Sequence, residues 1–200
     1  MKITRKILRE EIDNFIENDL SDPLSNYTDT FDDWLDRKNP PKDEKEQILR
    51  YQKRLTSYKN KAKDLLASLN DMNSVFGEHP IWFKKLDDMT KEDVSKASYA
   101  ILDNALDYVN ANVNIDATIS TRQEAVELRK KNADVGAAVE DMLRKAMTNC
   151  ENAKQTDNYE KYLVVDAIYN IVSEKYNTCY KLFDTLFSYY NQLIKVLTLI

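Results

Sequence analysis

Glycine and proline are scarce in this chain: two glycines, Gly77 and Gly136, and four prolines among 200 residues. A β-rich or α/β fold of this length needs glycine at turns, bulges and close backbone approaches. The shortage therefore points to long helices joined by few connections. It also removes the usual phosphate cradles, since neither a Walker loop nor a G-x-G-x-x-G turn can be written with glycines so far apart.

Histidine is almost missing as well. His79, the single one, stands in GEHPIW between a predicted helix end and Pro80, where a turn residue with no catalytic role also belongs. No E-x-x-H occurs, so neither a zinc site nor a di-iron bundle has its ligands. No nucleophile elbow or reactive-cysteine signature is present to build a triad. The acid-rich segment 19–36 lacks the central glycine of an EF-hand loop. Acids adjacent in sequence, such as Glu10-Glu11, Asp32-Asp33 and Asp87-Asp88, point about 100° apart on a helix and do not share a site. The expectation is a chain that is not an enzyme, with no catalytic residues, no metal site and no cofactor.

Cysteine is limited to Cys150 and Cys179, both at apolar helical positions. That is no disulfide framework and suits a reducing compartment. Positive charge is in deficit, 29 Lys and Arg against 34 Asp and Glu, for a net charge of −5. A nucleic-acid binder normally carries a basic stripe, so nucleic acid is not an expected partner. Long apolar runs are missing too. The N-terminal MKITRKILREEI is interrupted by acids before a signal-peptide core forms. The most apolar stretch, 182–200, carries Asp184, Asn191, Gln192 and Lys195, which are costly at a bilayer centre. These features predict neither a signal peptide nor a transmembrane helix, and a location in the cytoplasm or inside an assembled particle.

What is abundant is helical periodicity. Ile3, Ile7, Leu8, Ile12, Phe15 and Ile16 share one helical face and predict a helix over 3–18. Ile48, Tyr51, Leu55, Tyr58, Ala62, Leu65, Leu69, Met72 and Phe76 alternate steps of three and four, an a/d heptad ending near a Gly77 cap. That seam is either the core of an in-chain bundle or an intermolecular coiled coil. A third helix follows a Thr90/Asp93 capping box and runs to Val113. A fourth follows a Ser120/Gln123 box, with Asn132 and Asn149 on its seam and Gly136 as a possible kink. A fifth follows an Asp157/Glu160 cap and is apolar nearly all round, which places it centrally in a bundle or against partners. The fold class predicted is all-α, an elongated antiparallel bundle of four to five main helices, two or three longer than 30 residues. It forms one domain over 1–200, with 19–42 an irregular acidic and aromatic connection.

Within that connection, a helix capped by Asp29 or Thr30 sets Phe31, Trp34 and Leu35 on one side. That arrangement serves either as a lid on the core or as an anchor in a partner's groove. Together with Phe183, Phe187, Tyr190, Leu193 and Leu197 of the fifth helix, these residues form the expected partner-binding set. The functional expectation is a helical interaction or assembly protein, self-associating or bound to other proteins, a structural subunit of a larger complex. Small subunits of phage particles have comparable architecture, by analogy only. The alternative is an acidic inhibitor whose 19–36 segment occupies a basic groove on a partner, with binding that weakens steeply in salt.

Overall fold

The computed structural model describes residues 31–78 and 100–200. The helix predicted over 3–18, His79, Trp82 and the Thr90/Asp93 cap lie outside them. Among the described residues the chain is all-α, and its helices are α1 (Phe31–Lys38), α2 (Glu44–Glu78), α3 (Ala100–Asn112), α4 (Arg122–Ala153) and α5 (Tyr159–Leu199), the last four forming a bundle. Three of these exceed 30 residues, at 35, 32 and 41. The longest spans about 60 Å at 1.5 Å per residue.

The chain divides into two compact units, 1–41 and 42–200. The boundary falls just after the two prolines. In the first unit, α1 carries Asp32 and Asp33 in its first turn and Arg37 and Lys38 in its last. This order complements the helix dipole at both ends. Trp34 is buried, and the Lys38 ammonium lies 5.7 Å from its ring centroid.

The second unit holds the other four helices, and side-chain pairs establish their directions. Lys154 meets Asp166, Glu140 meets Tyr176, and Asn132 meets Tyr190, so α4 and α5 run antiparallel. Leu69 meets Lys175 and Tyr51 meets Lys195, so α2 and α5 are antiparallel too. Asn70 bonds Asn110, while Lys59 and Lys63 reach Asp116 just beyond α3, which makes α3 antiparallel to α2. In chain order the helices run up, down, up, down.

The α2 heptad closes this bundle from within. Tyr51, Ala62 and Leu69 are buried, with Leu55, Tyr58 and Leu65 packed half-buried beside the core. The seam is an in-chain core seam. The side chains of Met72 and Phe76 lie outside those described. α5 packs against both α2 and α4, which is why it is apolar on more than one side: Val165, Val172, Leu182 and Leu186 are all buried.

Two caps sit one residue later than the sequence patterns suggest. Thr121 caps α4, its hydroxyl accepting from Glu124 N while Glu124 Oε2 accepts from Thr121 N and Ser120 N. The Gln123 amide is turned instead to Glu127. A glutamate can accept from two backbone amides with one charged oxygen, so the box forms around it rather than around Gln123. Asn158 caps α5, its side chain accepting from Lys161 N.

Candidate functional site

α4 continues unbroken through Gly136. The kink read as possible there is not made, and the glycine has another use. A Cβ at this position would lie 2.9 Å from Phe183 Cγ and 3.1 Å from Cδ1. Only a residue without a side chain lets the Phe183 ring lie against the α4 backbone.

Ala133, Gly136 and Ala137 follow at helical spacing, and their lack of bulk leaves a groove of about 420 Å³ between α4 and α5. Its opposite wall is a run of aromatics on α5: Tyr176, Tyr180, Phe183 and Phe187. Tyr180 is 64% exposed and Phe187 41%. Glu140 stands at one end, accepting from the Tyr176 hydroxyl at 3.2 Å and from Arg144 at 2.5 Å. Near Phe187, the Arg129 guanidinium lies 5.7 Å from the ring centroid and donates to Asn191 Oδ1 at 2.7 Å. Arg129 thus links α4 to Phe187 and Asn191 of α5.

The sequence-predicted residues divide between surface and core. Phe183 and Phe187 line the groove. Tyr190 and Leu193 are buried, and Leu197 is half-buried against the core, so these three hold the bundle together. Tyr190 accepts a 3.4 Å bond from Asn132 Nδ2, and it packs edge-on against Tyr189 at 5.1 Å. In α1, Trp34 is buried and Leu35 half-buried; the Phe31 side chain is not among those described.

Tyr180 was outside the predicted set. The signal for it was present: Tyr176, Tyr180, Phe183 and Phe187 step by four, three and four, a second stripe beside the core stripe of α5. Counting all apolar positions together merges the two.

Four polar side chains lie inside the bundle: Asn132, Lys175, Thr185 and Gln192. Asn132 donates through Nδ2 to Leu128 O at 2.9 Å, while its Oδ1 has no hydrogen-bond partner among the described residues. Thr185 Oγ1 and both polar atoms of Gln192 have no hydrogen-bond partner among the described residues. None of these groups opens into the groove. Cys150 and Cys179 are buried thiols, in no disulfide. Burial pushes the Cys179 thiol up to about 12, against a smaller opposing pull from the Lys175 charge. At neutral pH it is a packing residue and not a nucleophile.

Among the described residues no group of three or more His, Cys, Asp or Glu is placed to hold a metal ion. Nor is any helix among them long and apolar enough to cross a membrane. What the arrangement offers chemically is apolar contact area with a charged rim. Compared with known proteins, the chain matches no family model, no curated protein and no solved structure.

Proposed function

We propose that this chain is a non-enzymatic interaction or assembly protein that works by presenting helix surface to another protein. The observation that carries this reading is the aromatic wall of the α4–α5 groove. Tyr180 and Phe187 stand out from a bundle whose core is already filled, beside a backbone left open by small residues. Large rings on a rigid helix beside a shallow apolar trough are the usual anchors of protein contacts. Their cost in water is offset when a partner covers them. The role we propose for such a surface is a structural place in a larger complex.

A photo-crosslinking amino acid in place of Tyr180, introduced in the cells that make the protein, tests the reading. The expected result is a discrete protein adduct that is lost when Ala137→Arg fills the groove. No adduct, or adducts indifferent to Ala137→Arg, would overturn it.

A further inference from the structure

We infer that the α4–α5 groove is a self-docking site, in which α4 of one copy lies antiparallel against α4 of a second copy about a two-fold axis. The inference rests on the interaction reading above and names the partner.

Charge along the exposed side of α4 carries it. The Phe183 ring covers Gly136, and beside it Ala133 and Ala137 keep the exposed side of α4 low, so another helix can approach closely, to about 8 Å. Setting Ala133 opposite Ala137 of the second copy puts Lys130 opposite Glu140 of the second copy, whose Oε1 is held by its own Arg144 and Tyr176 and whose Oε2 faces Lys130 in the docked pair. The two-fold axis then repeats both pairs. Lys130 is exposed and makes no ion pair or hydrogen bond among the described residues. Two other arrangements are worse. With Ala137 opposite itself, Lys130 faces Arg144. In a parallel pairing, Lys130 faces Lys130 and Glu140 faces Glu140. Opposite charges in the first arrangement and like charges in these two favour it over both.

The aromatic wall fits the same register. Phe183 lies against Gly136, and Phe187 lies one turn further along, level with Ala133 and beside Arg129. In the docked pair Phe187 therefore meets Ala137 of the second copy. Tyr180, level with Glu140, meets the Lys130 ammonium of that copy as a cation–π partner.

Sedimentation of the full chain from nanomolar to high micromolar concentration tests this, with circular dichroism confirming unchanged helix content in each variant. The wild-type chain is expected to dimerise, and Ala137→Arg to abolish the dimer. Lys130→Glu and Glu140→Lys should each weaken it about tenfold or more, since two rim pairs turn from attraction to repulsion. An equimolar mixture of these two variants should recover the affinity, because both pairs re-form between unlike copies. A wild-type chain monomeric throughout, a dimer indifferent to Ala137→Arg, or a mixture no tighter than its components would overturn the inference. A monomer whose Tyr180 cross-linker still captures a different protein overturns self-docking and leaves the proposed function standing.

Discussion

Lys175 is fully buried at the centre of α5, and its ammonium donates at 2.5 Å to the backbone carbonyl of Leu69, 106 positions earlier on α2. A cation with no exposure is costly unless every donor is used, so this contact pins α5 to α2 at one level. Lys175→Glu places a carboxylate against a carbonyl oxygen and should destabilise the chain by about 3 kcal/mol or more. Lys175→Met keeps an unbranched stem of similar volume and should change stability by less than about 1.5 kcal/mol. Guanidinium unfolding of both variants checks this, and equal losses would contradict it.

Gln192 has no exposed surface, and neither polar atom of its amide has a partner among the described residues. An unsatisfied buried amide costs about 1–3 kcal/mol. Gln192→Met, which preserves shape and removes the amide, is expected to raise the denaturation midpoint. A lowered midpoint would contradict this. Thr185→Val tests the same idea at a smaller group.

Gly136 and Phe183 are expected to be energetically coupled. Replacing a mid-helix glycine by alanine stabilises a helix by about 1 kcal/mol. Here the new methyl would meet the Phe183 ring at 2.9 Å. Gly136→Ala should therefore show its full gain only when Phe183→Ala is present. A double-mutant cycle by thermal unfolding should give a coupling of about 0.5 kcal/mol or more. Strict additivity would show that the ring swings aside freely.

Acid should loosen the start of α4. The Ser120 and Thr121 backbone amides hold Glu124 below the ordinary glutamate value of 4.5. A carboxylate with a depressed folded pKa contributes stability that is fully present above the unfolded value. That stability is lost as the pH falls through the folded one. Stability measured against pH should thus drop below about pH 4.5 in wild type. The Glu124→Gln variant should show a smaller drop, and identical curves would contradict the assignment.

Much of the architecture is legible along the chain. The α2 heptad marks Tyr51, Ala62 and Leu69, all three of which are buried. The breadth of apolar positions on α5 announces a helix with two neighbours. Caps are less legible, because Ser120/Gln123 and Thr121/Glu124 satisfy nearly the same pattern. Only hydrogen-bond geometry separates them. The groove was half legible: Phe183 and Phe187 stood among the expected contacts, while Tyr190 and Leu193 belong to the core.

Composition and periodicity alone determined that this protein is helical and that its helices bury stripes against one another. Both follow from local rules: glycine frequency, spacing of three and four, and the charge a site needs. Which stripe faces which neighbour was decided only when the chain packed. The seating of Phe183 on α4 depends on a missing Cβ at Gly136, 47 positions earlier in the chain. That contact seats one ring of the outer aromatic stripe of α5 against α4 while Tyr180 and Phe187 of the same stripe stay exposed, a distinction no single helix contains.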